Sequence, residues 1–418
     1  MKIFKSFSVF AGVSIISSGI SFFLLPVLTK YLSEEDYGIL SLFDASTRFM
    51  TTLISLGVTS VLMTNIFKKD NFTLSSYFKT YYVLILLNFF VVSIFVIISL
   101  LFLDDFFGIP KKIALFIPLI SVGLLFYELI LSLMIYKRQP LSYAITSLSK
   151  YVLEILLTLL FVVVLFYNWK GRVGSLFIAM LFINLYSIIY LKKESLLNGK
   201  FDMAKLKEIA TLGAPLLISD FSTVVLNLSD RFFIEYFFGL SQVGIYGIGV
   251  LVGSVVLIGV NSLLFVYRPL IYKKIKRYTH EKTSLKKISV QYFTILFIST
   301  IFIVFVAKKI IFIYFVDAKF FASQEIVWTI ALGFFFWGLY VFYISYFIFE
   351  KQTKTIFIVS LLSVFLNLAL NYIMIPLFGA IGAGYATLVT YFFGGITVYL
   401  LFIFKLKSQL LVRYNFKN

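Results

Sequence analysis

The sequence predicts an all-α integral membrane protein of about twelve transmembrane helices, in two six-helix lobes related by a parallel pseudo-two-fold repeat around a central cavity. Three observations carry that expectation. Of the 418 residues, 61% are hydrophobic and only 13% charged, with a mean hydropathy of +1.00, whereas a soluble domain carries about 25% charged residues. The apolar residues fall in long runs without alternating polarity, which suits membrane helices and not a membrane barrel. Short signatures then recur at an offset near 208 residues, as expected if the second half repeats the first.

A spanning helix needs about 20 mainly apolar residues. That template places spans at 9–29, 39–66, 81–103, 113–136, 144–167, 173–191, 209–233, 243–266, 289–307, 326–349, 356–376 and 380–404. Lys2 and Lys5 precede the first run, which lacks a small-residue cleavage site, so it reads as an uncleaved span and not a removable signal peptide. Pro26, Pro118, Pro215 and Pro376 lie within or at the ends of runs, where they bend helices or free carbonyls. The polar segment from Lys192 to Glu208 divides the halves: an N-terminal lobe over 1–191, a cytoplasmic linker over 192–208, a C-terminal lobe over 209–404 and a cytoplasmic tail over 405–418. Phe201, Ala204, Leu206 and Ile209 have the spacing of a short interfacial helix, with a plain solvated linker as the alternative. The loop from Lys308 to Glu325 is mostly apolar and is expected in the interface.

The formal charge of +18 is explained by topology. With the N-terminus inside, the outer loops hold only Lys30, Lys111, Lys112, Lys170, Arg172, Lys308, Lys309 and Lys319 among the bases. Arg48, Lys150 and Arg231 fall within spans, and the remainder lie inside, so both termini are expected in the cytoplasm. The basic face suits anionic lipid headgroups, and no nucleic-acid partner is expected. His280, the single histidine, sits in the basic loop from Arg268 to Lys287 and reads as solvated.

The repeat rests on three matches. Leu32-Ser33 with Tyr37-Gly38 recurs as Leu240-Ser241 with Tyr246-Gly247, Gly171 and Gly174 correspond to Gly379 and Gly382, and the segment ending in Gln139 resembles that ending in Gln352. Six spans per half give both halves one orientation, as in transporters with a site between parallel repeats.

Charges inside spans are expensive, about 2.5 to 3.5 kcal/mol each at the bilayer centre, and therefore need a reason. Asp44 and Arg48 are four residues apart, as are Lys150 and Glu154, so each pair can meet on one helix face. Two readings stand for these pairs: mutual neutralisation, or Arg48, Lys150 and Arg231 lining a wet cavity for an anionic ligand while the carboxylates hold them in place. Asp230 adjoins Arg231 and on a regular helix would point elsewhere. Glu128 and Asp220 have no base at helical spacing; an interhelical partner, protonation or a bound cation would each account for them. Glu128, Asp220 and Asp230 are thus the candidates for coupling H+ or Na+.

Catalytic signatures are lacking. There is no cysteine, hence no disulfide or thiolate site, no metal-ligand cluster and no GxxxxGK[ST] loop. Neither an enzyme nor a resident cofactor is expected. Gly247, Gly249 and Gly253, and Gly379, Gly382, Ala383 and Gly384, are placed to let helices approach closely.

The chain resembles the Wzx-type polysaccharide repeat-unit flippases, the O-antigen and capsule translocases of the multidrug/oligosaccharidyl-lipid/polysaccharide exporter superfamily. The resemblance is carried by LLPVLTKYLSEEDYGILSLF from Leu24, GAPLLISD from Gly213, SDRFFIEYFFGLSQVGIYG from Ser229 and LNLALNYIMIPLFGAIGAGYATL from Leu366. It implies translocation of undecaprenyl-pyrophosphate-linked oligosaccharide units across a bacterial inner membrane by alternating access, in contact with membrane lipids and with glycan-assembly proteins as partners. The family's cationic cavity would fall to Arg48, Lys150 and Arg231. Arg231, whose closing turn the topology places outside, is the least central of the three. Asn367 and Asn371 lie in the LNLALN element, where they would bond sugar or neighbouring helices. The competing functions are a drug or cation exporter of the same superfamily, a lipid-linked cell-wall precursor flippase, and a membrane glycan polymerase or ligase. The last would be expected to carry a substantial extracytoplasmic loop, which this sequence lacks.

Overall fold

The computed structural model describes the backbone of residues 2–57, 61, 71–276, 282–350 and 352–415. The end of the second expected span, His280 with the middle of its basic loop, Lys351 and the last three residues lie outside the described residues. Each of the twelve expected spans is met by a helix. In order these are α1 (Lys2–Tyr31), α2 (Glu34–Ser55), α3 (Asn71–Phe102), α4 (Ile117–Tyr136), α5 (Pro140–Thr158) and α6 (Asn168–Lys193). The seventh span is α7 (Met203–Leu228) with α8 (Asp230–Phe238), and the eighth is α9 (Leu240–Gly253) with α10 (Val255–Lys276). The last four are α11 (Lys282–Val306), α12 (Gln324–Phe349), α13 (Thr353–Phe378) and α14 (Ala380–Asn415).

Nine helices among the described residues are long and apolar enough to cross a membrane, or ten when the seventh span is taken as one bent element. That span bends by 44° between Ala214 and Leu216, where Pro215 leaves the backbone without a donor. α2 falls short of the same test because Asp44, Arg48 and a run of hydroxyl residues dilute it. Among the described residues, the one departure from an all-helical chain is a two-residue strand pair, Asp105–Phe106 against Ile109–Pro110. Phe107 and Gly108 both take positive φ, and the Asp105 carboxylate accepts from the Gly108 amide, the chemistry of a tight hairpin turn.

The chain forms two compact units, Met1–Glu235 with Gly239–Gly244, and Tyr236–Phe238 with Ile245–Asn418. The helices of the seventh span thus pack with the first six. In the first unit, α2 and α4 meet along a seam of small polar residues, where the buried Ser121 hydroxyl donates to the Thr47 carbonyl at 3.0 Å. Small residues let backbones approach, which is how membrane helices gain packing when lipid supplies no hydrophobic drive. One end of the unit is filled by Tyr77, Phe78, Tyr81, Leu129, Leu133 and Leu191. α3 instead leaves Phe90, Ile94, Phe95 and Leu101 exposed, an apolar surface that a bilayer satisfies.

The linker matches neither expected form. The seventh-span helix starts at Met203, with the Asp202 carboxylate capping Ala204 and Lys205, so Ala204, Leu206 and Ile209 belong to that helix. Before it, the chain is tied to α3. Ser76 donates to the Lys200 carbonyl at 2.8 Å, the Asp202 amide donates to Thr80, and the Tyr77 hydroxyl donates to Glu208. Backbone polar groups of the connection find partners on α3, which competes successfully with the membrane interface for the same residues.

α2 starts with a capping box, Ser33 and Asp36 each bonding the other's amide. Close by, α2 and α9 touch backbone to backbone: a Cβ on Gly38 would lie 2.0 Å from the Leu240 carbonyl oxygen, and one on Gly244 would lie 2.0 Å from that of Glu34. The Ser241 hydroxyl donates to the Glu34 carboxylate. These are the two copies of the Leu-Ser…Tyr-Gly signature in direct contact.

In the second unit α12 is central, packing on α10, α11, α13 and α14. Its seam with α9 uses Gly249 and Gly253 opposite Ile326 and Ile330, as the small-residue pattern anticipates. Rings of Tyr292, Phe293, Phe342, Tyr343 and Phe402 interlock, stacked and tilted, at one end.

Candidate substrate site

Arg48, Glu128, Lys150, Glu154 and Arg172 of the first unit gather on α2, α4, α5 and α6. Arg48 does not turn to Asp44, its neighbour on the same helix face. It donates to Glu128 of α4 at 2.9 Å, with both side chains nearly half exposed, 46% and 43%. The reason is geometric: the α2–α4 seam at Thr47 and Ser121 brings α4 alongside Arg48, and a planar guanidinium then finds a carboxylate across the seam. Asp44 is exposed and makes no ion pair among the described residues. Glu128 accordingly has an interhelical partner, the first of the three accounts open to it.

Lys150 and Glu154 do pair along α5, at 2.7 Å, and both are buried. The pair is not closed. Arg172 of α6 reaches the other Glu154 oxygen at 2.6 Å and also donates to Thr158 at 3.0 Å, while Thr158 and Ser175 share a hydrogen bond of 2.8 Å. Sequence reasoning assigned Arg172 to an outer loop. It lies near the start of α6, and Gly171 beside it explains how: after α5 the chain widens into a π-helical stretch, Leu159–Val164, and a Cβ on Gly171 would sit 2.9 Å from Phe161. Only glycine lets α6 begin so close to that bulge. The Lys150 ammonium completes its surroundings with aromatic faces, 4.2 Å from the Tyr151 ring centre and 5.8 Å from that of Tyr127.

The two groups form one patch. Arg48 and Lys150 are near enough to repel each other, and Tyr151 sits within reach of the charges of Arg48, Glu128 and Glu154. Arg48, Lys150 and Arg172 face Glu128 and Glu154, with Asp44 close to Arg48. The patch therefore offers directed donors more than a bulk positive potential. Arg48 spends one terminal nitrogen on Glu128, so its remaining N–H groups can bond a second anion. α2 carries Ser41, Asp44, Arg48 and Thr52 on one side, none of them buried. Such a stripe within a span suits water and not lipid.

The remaining candidates are engaged in other contacts. Asp230 and Arg231 do pair, at 2.9 Å, against the expectation for a regular helix. The helix is interrupted at Ser229, and the Asp230 carboxylate curls over the start of α8 to accept the Arg231 amide and guanidinium together. Arg231 also donates to the Asn227 carbonyl and to Ser41 of α2. It is buried and engaged on several sides, closing the helix break. Asp220 is half-buried on α7 and has interactions of its own. In the second unit Asn371 donates to Asn367 at 3.1 Å and Asn367 donates to Thr390 of α14 at 3.4 Å. Both are buried and join neighbouring helices. Among the described residues no cluster of metal-ligating side chains occurs.

Comparison with known proteins agrees with this architecture. Residues 3–273 match the family described as polysaccharide biosynthesis protein. A protein of the Lsg locus of Haemophilus influenzae is 24% identical over 284 residues, covering 66% of this chain and 68% of its own length. Among solved structures, an inward-facing multidrug resistance MATE family transporter of the MOP superfamily superposes with a TM-score of 0.73 at 11% identity, covering 94% of this chain and 95% of the other. The lipid II flippase MurJ, in an inward closed conformation, gives 0.65 at 18% identity, covering 95% and 87%. The multidrug transporter DinF-BH gives 0.61 at 18%, covering 94% of each. At such identities the likeness concerns the fold. With its multi-pass helical architecture and a family match across more than half its length, this chain belongs to the polysaccharide biosynthesis protein family and has the fold of MOP-superfamily transporters.

Proposed function

We propose that the protein is a flippase that moves undecaprenyl-pyrophosphate-linked oligosaccharide units from the inner to the outer leaflet of a bacterial cytoplasmic membrane, both termini being cytoplasmic. The observation that carries this reading is the half-exposed Arg48 beside the Lys150–Glu154–Arg172 network, in a member of a polysaccharide biosynthesis family. A diphosphate needs convergent donors, and guanidinium presents them in a fork that fits its oxygens. The polyprenyl tail needs no protein site of its own, since it stays soluble in the bilayer. Translocation would proceed by alternating access around a central cavity, the substrate or a coupled H+ or Na+ favouring one state by its differential affinity. For coupling, Glu128 would act through its contact with Arg48, because an ion that neutralises Glu128 releases that guanidinium. Asp220 and Asp230 are the further carboxylates available. Transport of this kind requires no covalent catalysis.

The shared fold with MATE transporters supports the alternative of a multidrug or cation exporter. Deleting the protein and assigning lipid-linked glycans to leaflets separates the two. The flippase reading expects complete units trapped facing the cytoplasm, whereas their normal appearance outside with unchanged polymer would sink it. For the site, Arg48→Gln is expected to leave stability within about 1 kcal/mol, the worth of an exposed pair. Translocation should fall about tenfold or more, the loss of one charge-assisted bond to the diphosphate. Leaflet assays on Arg48, Lys150 and Arg231 variants, neutralised one at a time, check it; normal transport by all three removes the site.

A further inference from the structure

A cavity of about 480 Å³ opens in the second unit, at the end of α11 and the starts of α12 and α14. The basic-residue asymmetry places these ends on the outer side. Its wall includes an aromatic edge, Trp328 against Tyr385 with ring centres 6.0 Å apart, and Phe378 packs on Tyr385 behind that lining. Lys308, Gln324 and Glu325 supply the polar side. Lys308 and Glu325 line the same space yet form no ion pair with each other or with any described residue. The Gln324 amide nitrogen donates to the Lys308 carbonyl at 3.4 Å, which leaves its carbonyl oxygen turned to no protein partner among the described residues. Residues bearing an indole, a phenol, an ammonium, an amide and a carboxylate therefore line one cavity, and the Lys308 and Glu325 charges form no ion pair across it.

We propose that this cavity binds one sugar ring of a glycan at the outer face. A pyranose has an apolar C–H face that packs on an aromatic ring and a rim of hydroxyls that both donate and accept. The cavity has both halves of that pattern, and its volume falls in the range of small-molecule sites. One ammonium and one carboxylate cancel, so a phosphate or an anionic headgroup would gain a cation and meet a repelling carboxylate at once. A neutral polyol has no such conflict. The site rests on the flippase reading for its meaning, as a place where the glycan is held after crossing. Its existence rests on the cavity alone.

The test uses the full chain in lipid nanodiscs with Trp169→Phe and Trp337→Phe, which leaves Trp328 the only tryptophan. Methyl glycosides of glucose, galactose, N-acetylglucosamine and rhamnose are titrated, with inorganic phosphate and phosphatidylglycerol nanodiscs as controls. At least one glycoside should shift Trp328 emission saturably in the millimolar range. Glu325→Gln, an exposed change that leaves folding alone, should weaken that binding about tenfold, the loss of a hydrogen bond to a charged acceptor. No saturable response to any glycoside, or a response to phosphate or phosphatidylglycerol that glycosides do not compete away, overturns the proposal. Because binding is read without translocation, its failure leaves the flippase reading standing. Equally, normal glycan distribution in the deletion strain would remove the flippase reading without touching the measured binding.

Discussion

Glu154→Ala is expected to be the most damaging single substitution in the first unit. Glu154 is buried between two cations, Lys150 at 2.7 Å and Arg172 at 2.6 Å, so its removal leaves two like charges facing each other with no counterion. Breaking a buried ion pair in this way costs about 3–5 kcal/mol, and two stranded cations put the loss toward the upper end. The measured result should be low recovery of folded protein and a large drop in the thermal midpoint in detergent. Adding Arg172→Met should restore part of that loss, since one cation then remains and Tyr151 and Tyr127 still face it. Rescue is the diagnostic, because sites coupled through one network are non-additive. A double variant less stable than Glu154→Ala would show that the charges do not organise this region.

The succession of long apolar helices was legible because apolar runs of membrane length have few alternative readings. The Lys150–Glu154 pair was legible too, because a spacing of four fixes neighbours on one helix. Arg48 with Glu128, and Arg172 with Glu154, were not: each joins two helices, and their register is set by the Thr47–Ser121 seam and by the Gly171 approach to Phe161. Spacing within one sequence carries no information about register between helices. Arg172 was further hidden because a charge ordinarily marks the end of an apolar run. The available signal was Gly171, which marked the repeat and also marked a close approach. Asp230 and Arg231 misled for a local reason, since adjacent residues diverge on a continuous helix and this helix restarts at Asp230.

Cross-linking the starts of α2 and α9 is expected to stop transport. Gly38, of the first repeat signature, and Gly244, which lies between Ser241 and Tyr246 of the second, allow this contact: each brings a backbone within a distance that any side chain would fill, an approach glycine alone permits. Alternating access requires surfaces that close tightly in one state to part in the other, and a backbone contact fastened by one Ser241–Glu34 hydrogen bond can part at little cost. The chain has no cysteine, so Glu34→Cys with Ser241→Cys creates the only thiol pair. A short bis-methanethiosulfonate reagent should then abolish translocation, and reductant should return it. Gly38→Val tests the same contact from the other side, by holding the helices apart: translocation should fall while expression and insertion persist. Full transport by the cross-linked protein would mean that α2 and α9 stay together throughout the cycle, and any opening would then have to occur elsewhere in the chain.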